Sequence, residues 1–528
     1  MLKISLNKIK KYHGGRLLFE CESLFIYSGE KIAVTGINGV GKTSLLDILA
    51  GVKIPDEGYA DIRDNVSYVR QLEDGQIFGG FDKQSNNYRG SATAIMLNSS
   101  FSGAGASTQL RHERANSASG KTISEFDAPA GYETHLSGGE KTRRRLASAF
   151  ENTGGVLILD EPTSNLDISA IKLLEEKLDS HGGTLIIVSH DRSLLDKICT
   201  RVIEIENSKI NCFNGNFASY EYQKKIMFER AEFERGKYLS EKKRLEQTVA
   251  DKKQKSKQMK KTPKRMGNSE ARLHKRGINS KKKKIDSAAV AIKSRLEQLE
   301  FKEKPYSPPV IKITVPEHGR IHSRVAASCS FLSKSFDERI VFDGAVFELP
   351  SEARTALTGP NGSGKTTLVR MILGREGGIW VSEKANIGYF GQNFETLDCQ
   401  KTVLENVLSS SVHPETVART LLACLLFRRD EVYKKAAVLS GGERVKTAIA
   451  KILLGGYNFL VLDEPTNYLD VFSLAALEEV LCNYNGAMLL CSHDRRFINA
   501  VADRCLIINE KYGKIITYEG KYADYEAK

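Results

Sequence analysis

The sequence contains nine cysteines, and no two of them form a Cys-x-x-Cys pair. Without that spacing there is no zinc or iron–sulfur signature. Cys424, Cys482 and Cys491 lie in apolar stretches and are expected as buried free thiols. That chemistry suits a reducing compartment, so a cytoplasmic location is expected. No stretch approaches ~18 consecutive apolar residues, so no membrane span or membrane domain is expected. The first fifteen residues have no long apolar run and no small-residue cleavage site, so no secretory signal is expected.

The 528 residues are 41% apolar and 27% charged, the balance of a folded chain long enough for several domains. The net charge of +13 points to a polyanionic partner.

The chain also contains itself twice. Gly36-Ile-Asn38-Gly39-Val-Gly41-Lys42-Thr43 recurs as Gly359-Pro-Asn361-Gly362-Ser-Gly364-Lys365-Thr366. Leu136-Ser137-Gly138-Gly139-Glu140 recurs as Leu439-Ser440-Gly441-Gly442-Glu443. An apolar run ending in Asp160-Glu161-Pro162-Thr163 recurs before Asp463-Glu464-Pro465-Thr466, and Ser189-His190-Asp191-Arg192 recurs as Ser492-His493-Asp494-Arg495. Ser137 precedes Asp160 by 23 positions, as Ser440 precedes Asp463, and Glu161 precedes His190 by 29, as Glu464 precedes His493. The first copy is longer through a Gly/Ser/Ala-rich tract near Asn98–Thr122, expected as a surface loop. Apolar runs before the glycine loops, aspartates and histidines read as buried parallel strands, so each copy is expected to be an α/β domain.

GxxxxGK[ST] needs glycines so that backbone N–H groups can curl around phosphate oxygens at a helix N-terminus. Gly36, Asn38, Gly39, Gly41, Lys42, Thr43 and Ser44 form one candidate cradle for ATP. Gly359, Asn361, Gly362, Gly364, Lys365, Thr366 and Thr367 form the other. Lys42 and Lys365 would bridge the β- and γ-phosphates, and Thr43 and Thr366 would ligate Mg²⁺. Asp160 and Asp463 would hold the Mg²⁺ shell, and Glu161 and Glu464 are candidate bases for hydrolysis. His190 and His493 are placed to contact the γ-phosphate. Gln71 and Gln392, each after a strand downstream of its loop, could reach Mg²⁺ or the attacking water. Tyr12 and Phe336 precede the loops and could stack on adenine.

These residues resemble the ATP-binding-cassette superfamily over nearly the whole chain, the LSGGE segments being its most specific mark. The resemblance implies two cassettes closing head to tail within a monomer. Ser440, Gly441 and Gly442 would then face the nucleotide on Lys42, and Ser137, Gly138 and Gly139 the one on Lys365. Two cassettes with a charged linker look like the ABC-F subfamily, whose members act on ribosomes. Asn467-Tyr468-Leu469-Asp470 is close to the subfamily's Asn-His-Leu-Asp ending, whereas Ser164-Asn165-Leu166-Asp167 departs from it at two positions.

From about Tyr222 to Lys304 the composition changes. Met227, Ala231, Tyr238, Leu245 and Val249 recur at helical spacing, as do Ala289, Ile292, Leu296 and Leu299. Pro263, Gly267 and Gly277 are expected to break the helix, giving an antiparallel hairpin with a loop at its tip. The expected domains are a first cassette over 1–221, a linker over 222–309 and a second cassette over 310–528. Lys252–Lys284 carries 15 Lys plus Arg against one acid, Glu270, a net +14 that exceeds the whole chain's +13. Such concentration argues for contact with phosphate backbones, through Lys260, Lys261, Lys264, Arg265, Arg272, Lys275 and Arg276.

The layout most resembles the antibiotic-resistance ribosome-protection branch of ABC-F, of the Vga, Lsa, Msr and Vml type. That resemblance implies binding at the ribosomal exit site, contact with rRNA and with tRNA in the peptidyl site, and loss of bound lincosamides, streptogramin A and pleuromutilins. ABC-F translation factors without resistance activity share the same motifs. The ATPase half of a membrane transporter and a DNA-repair ATPase are remoter readings.

Overall fold

The computed structural model describes residues 1–70, 94–96, 138–151, 155–258, 268–302, 320–336, 339–391, 397–428, 430–509 and 513–527; for 94–96, 151 and 268–278 it describes the backbone alone. Two compact units result: one comprises Met1–Tyr220 with Pro308–Lys528, the other Glu221–Ser307.

In the first half of the larger unit the order is β1 (Leu2–His13), β2 (Arg16–Tyr27), β3 (Lys31–Thr35), α1 (Lys42–Leu49), β4 (Glu57–Ile62), β5 (Val66–Val69), β6 (Ala94–Met96), α2 (Gly138–Glu151), β7 (Val156–Asp160), α3 (Ile168–Ser180), β8 (Thr184–Val188), α4 (Arg192–Ile198), β9 (Arg201–Glu206) and β10 (Lys209–Asn214). Among the described residues the strands form one sheet, ordered β4-β1-β2-β10-β9-β3-β8-β7-β5-β6. Its parallel centre is built from short runs such as Val156-Leu-Ile-Leu-Asp160, in which every residue is buried. Such runs suit strands covered on both faces.

The smaller unit holds most of α5 (Phe217–Gln258) and all of α6 (Asn268–Glu297). At ~1.5 Å per residue α5 extends roughly 60 Å. Tyr238 meets Phe301 edge to face at 6.0 Å, and Arg235 Nη1 donates to Lys302 O at 2.7 Å, so the chain returns antiparallel to α5. Leu245 and Ala289 are buried, whereas Met227 is exposed. Gly277 lies inside α6 and does not end it. A single interior glycine costs only ~1 kcal/mol, which a helix of this length absorbs. The expected breaks at Pro263 and Gly267 lie outside the described residues.

The second half of the larger unit follows with β11 (Val325–Phe336), β12 (Arg339–Pro350), β13 (Arg354–Thr358), α7 (Lys365–Gly374), β14 (Trp380–Val381), β15 (Ile387–Phe390), α8 (Val403–Leu408), α9 (Glu415–Cys424), α10 (Gly441–Leu453), β16 (Phe459–Asp463), α11 (Val471–Cys482), β17 (Ala487–Cys491), α12 (Arg495–Val501), β18 (Arg504–Asn509), β19 (Lys514–Glu519) and α13 (Tyr522–Glu526). The described strands form two sheets, β12-β11-β14 and β15-β16-β17-β13-β18-β19. Cys424 and Cys491 are buried as expected; Cys482, the last residue of α11, is exposed. Among the described residues no helix is long and apolar enough to cross a membrane.

The parallel register sets the chemistry at one end of each sheet. Asp160 pairs with Val188, and Asp463 with Cys491, so Glu161 and His190, and likewise Glu464 and His493, emerge from neighbouring strand ends. Each half also inserts one apolar residue into the other. Val471, the first residue of α11, belongs to the core built around Leu174 and Leu194, while Ile168, the first of α3, packs with Ile498, Ala502 and Tyr522.

Candidate functional site

Each glycine loop is held open by residues that only glycine fits easily. Gly41 and Gly364, immediately before α1 and α7, have φ of 106° and 101°, and a Cβ on Gly364 would lie 2.4 Å from Val341 Cγ1. Both lysines donate to their own loops. Lys42 Nζ donates to Gly36 O at 2.8 Å and Asn38 Oδ1 at 3.1 Å, and Lys365 Nζ to Gly359 O at 2.8 Å and Pro360 O at 2.9 Å. Burial lowers both lysines from their ordinary value, against the pull of nearby carboxylates. A phosphate in the loop would supply the missing counter-charge.

Thr43 Oγ1 donates to Asp160 Oδ2 at 2.8 Å, and Thr366 Oγ1 to Asp463 Oδ2 at 3.3 Å. Burial, then the charge of Glu161, pushes Asp160 up to about 6, and burial raises Asp463. Buried carboxylates beside a hydroxyl and a phosphate loop fit a hard cation. Among the described residues no group of three or more His, Cys, Asp or Glu could hold a metal.

Glu161 and Glu464 both have φ of 52°, in the left-handed region that non-glycine residues rarely adopt. The turn carries each side chain from its strand end towards the site histidine. Glu161 Oε1 lies 3.0 Å from His190 Nε2, and Glu464 Oε1 3.4 Å from His493 Nε2; neither oxygen makes a well-aligned hydrogen bond. These buried acceptors fit a bound water or nucleotide group. Burial favours the neutral form of Glu161, but the His190 charge and hydrogen bonds, with Lys42, hold it below the usual carboxylate range. Burial raises Glu464 despite Lys365.

Burial and the charge of Lys365 hold His493 down to about 3 from 6.5. Between those values an unfolded chain binds a proton that the folded chain refuses, so stability falls as pH drops through this window. His493→Gln removes that proton uptake. Its melting temperature is expected to fall less than that of the unaltered protein between about pH 7.5 and about pH 5, as scanning calorimetry would read.

The two halves meet head to tail. Asn38 donates through its backbone N–H to Asp470 Oδ2 at 2.8 Å and through Nδ2 to Tyr468 O at 2.7 Å. Reciprocally, Asn361 N–H donates to Asp167 Oδ2 at 3.1 Å and Nδ2 to Asn165 O at 2.9 Å. Ser440 caps α10 through Glu443 N–H at 3.3 Å, setting Gly441 and Gly442 at the start of that helix. Gly442 lies against Asn38, and Gly139 against Asn361. A cavity of ≈ 680 Å³ has Gly138, Gly139 and Arg143 of the first half on its wall together with Gly362, Lys365, Thr366, Asp463, Glu464 and His493 of the second. Its size is that of a small-molecule site.

Asn38 and Asn361 thus donate to the opposite half through both backbone N–H and Nδ2. Asp167 and Asp470, which cap α3 and α11, also hold the facing glycine loops. Sequence reading did not assign them to the site, although their identical place in both repeats was the available signal. Tyr12 is exposed, with its N–H donating to Asp56 Oδ2 at 2.7 Å; Phe336 is exposed with Lys334 5.6 Å from its ring centroid. Arg339, from the same hairpin as Phe336, lines the cavity and donates to Gly362 O at 3.2 Å. Gln71, Gln392 and Ser137, the 98–122 tract, and Lys260, Lys261, Lys264 and Arg265 lie outside the described residues. Arg272, Lys275 and Arg276 are on α6, where the backbone alone is described.

The ABC transporter family profile matches residues 21–164 and 342–467. The energy-dependent translational throttle protein EttA of Mycobacterium tuberculosis is 30% identical over 99% of this chain and 94% of its own length. The chain belongs to the ABC-F family of ATP-binding-cassette proteins. ABC transporter F family member 5 of Arabidopsis thaliana is 29% identical, covering 99% of this chain and 77% of its own. The ribosome protection protein VmlR of Bacillus subtilis is 28% identical, covering 96% and 86%. Among solved structures, the archaeal ribosome recycling factor aABCE1, complexed with stalk protein aP1, superposes with a TM-score of 0.59 at 19% identity, covering 98% of this chain and 92% of that one. That likeness extends the ABC-F assignment to the fold, two cassettes in tandem, and the ABC-F cassettes bind and hydrolyse ATP.

Proposed function

We propose that this ABC-F protein is an ATP-gated ribosome-binding factor that protects the ribosome from antibiotics acting at the peptidyl-transferase centre, of the lincosamide, streptogramin A and pleuromutilin classes. The observation that carries the reading is the charge of the two-helix unit. Lys252–Lys284 holds +14 of a chain total of +13, leaving −1 for everything else. A long helical probe with a basic end suits shape recognition of folded RNA, with affinity that falls as salt rises. The proposed divisions are 1–221, 222–309 and 310–528. The match to VmlR supports the resistance reading; the match to EttA favours a second one, a translation factor without resistance activity.

In this reading the glycine loops with Lys42 and Lys365 hold the ATP phosphates, and Gly441–Gly442 and Gly138–Gly139 close over the opposite nucleotides at helix N-termini. Thr43 and Asp160, and Thr366 and Asp463, would hold Mg²⁺, which would supply positive charge to the phosphates. Glu161 and Glu464 orient water and accept its proton, and His190 and His493 hold the glutamates and the γ-phosphate edge. Gln71 and Gln392 are proposed to complete the metal and water shells, and Tyr12 and Phe336 to lie against adenine.

Deleting 262–276 is expected to leave ATP hydrolysis unchanged and to abolish ribosomal function. The test expresses both forms in a drug-sensitive host and challenges it with a pleuromutilin and a lincosamide. Protection by the full chain alone supports the proposal. No protection by either form, with translation altered by the full chain, supports the translation factor, and full protection by the trimmed form overturns the role of the tip.

A further inference from the structure

Directly after each site histidine the chain places an aspartate and an arginine, His190-Asp191-Arg192 and His493-Asp494-Arg495. Each aspartate caps the short helix that follows: Asp191 accepts from Ser193 and Leu194 N–H, and Asp494 from Phe497 N–H. Each arginine is the first residue of that helix and reaches across to the other cassette. Arg192 pairs with Glu478 on α11, and Arg495 with Glu175 on α3. The glutamates occupy matching positions in the two repeats, 303 apart, as the arginines do. The pairing is therefore reciprocal about the axis that relates the cassettes.

These are interior contacts. The Arg192 and Glu478 side chains are 3% and 15% exposed, and those of Arg495 and Glu175 14% and 6%. Lys197 adds a second cation to Glu175 at 3.3 Å. Two buried carboxylates also repel here: burial and then the charge of Asp494 push Asp191 up to about 6, and burial raises Asp494 against the Phe497 N–H and the charge of Arg192. Closing the cassettes thus brings like charges together as well as opposite ones. A buried pair is strong only while both partners are engaged, because a lone partner left in the interior is uncompensated. Such a contact has two discrete states, formed or solvated, as a coupling element requires.

We propose that Arg192 and Arg495 are positioning residues for ATP hydrolysis, each coupling engagement of the opposite cassette to the placement of the histidine two residues before it. The path is short, with an ion pair at one end, a hydrogen bond at the other and contiguous chain between. Glu478 fixes Arg192, Arg192 opens the helix capped by Asp191, and the neighbouring His190 N–H donates to Glu161 Oε2 at 3.3 Å. A cassette that has not met its partner therefore lacks an anchored histidine, and ATP bound there waits for closure. The inference rests on the site roles given above for His190 and His493.

The test is a double-mutant cycle on the full chain with Arg192→Gln, Glu478→Gln and both together, reading steady-state kcat for ATP and the affinity for a fluorescent ATP analogue. Each single variant is expected to lower kcat about tenfold or more, the scale of losing one partner of a buried charged pair, with analogue affinity unchanged. The double variant is expected to be no slower than the singles, and Arg192→Lys, which retains the charge, to recover part of the rate. Unchanged kcat in the singles, additive losses in the double, affinity falling in parallel with kcat, or a lysine variant as slow as the glutamine one would each overturn the coupling. His190→Ala, measured alongside, separates the two levels: unchanged hydrolysis there overturns the histidine's site role itself.

Discussion

Replacing Glu161 and Glu464 together by glutamine is expected to lower ATP turnover about a thousandfold while leaving ATP binding intact. The loss is that of a general base, which contributes roughly 10²–10⁴. Both glutamates are buried, both sit in the left-handed region at a strand end, and both have Oε1 beside a histidine. Glutamine has the same shape and can keep the turn, but its amide cannot take a proton. The lysines, threonines and aspartates around the phosphate loops are untouched, so nucleotide affinity should persist. Phosphate release and equilibrium binding of a labelled nucleotide read the two halves of this prediction separately. Parallel loss of both would mean that the glutamates build the site and do not act on water.

Adding one methyl group at Gly442 is expected to cost at least about a hundredfold in hydrolysis, because a misplacement of about 1 Å at a catalytic assembly can cost that much. A Cβ there would lie 2.6 Å from Tyr468 O and 2.9 Å from Asn38 Nδ2, two atoms joined by a hydrogen bond across the interface. The carbonyl is backbone of the same half and cannot swing away, so the start of α10 and the Tyr468 turn have to part, which disturbs the Tyr468 O–Asn38 hydrogen bond to the opposite glycine loop. Gly139 has the same relation to Asn165 O at 2.6 Å and Asn361 Nδ2 at 3.3 Å. Alanine at a helix start costs the individual cassette nothing in helix propensity. Gly442→Ala should therefore lose some melting temperature to that clash, while its turnover falls far more. Turnover near the original rate would show that the facing helix need not approach this closely.

The glycine loops, the strand-end aspartates and glutamates and the histidines were legible because four local motifs recur in the same order, with equal spacings from the LSGGE segment onward. The buried strands before them were legible for a similar reason, since all-apolar five-residue runs have few alternatives in an α/β domain. What joins the halves was harder to read. Asp167 and Asp470 look like ordinary helix caps, and they are; that their second oxygen holds the other half's Asn361 or Asn38 depends on a surface that local pattern does not encode. Ile168 and Val471 read as core residues of their own halves, and the fold inserts each into the other. The left-handed backbone at Glu161, Glu464 and Tyr468 has no glycine to announce it. Gly277 misled in the opposite direction, since one interior glycine costs too little to end a helix as long as α6.

If ATP closure of the two cassettes creates a ribosome-binding form, co-sedimentation of the Glu161→Gln/Glu464→Gln variant with ribosomes, with and without ATP, will show it. The variant is expected to pellet with ribosomes only when ATP is present, and raising salt to weaken the association, as for contacts with phosphate backbones. Equal pelleting with and without ATP would contradict the gating. No pelleting in either state would contradict the ribosomal assignment, leaving a tandem ATPase whose basic hairpin serves another polyanion.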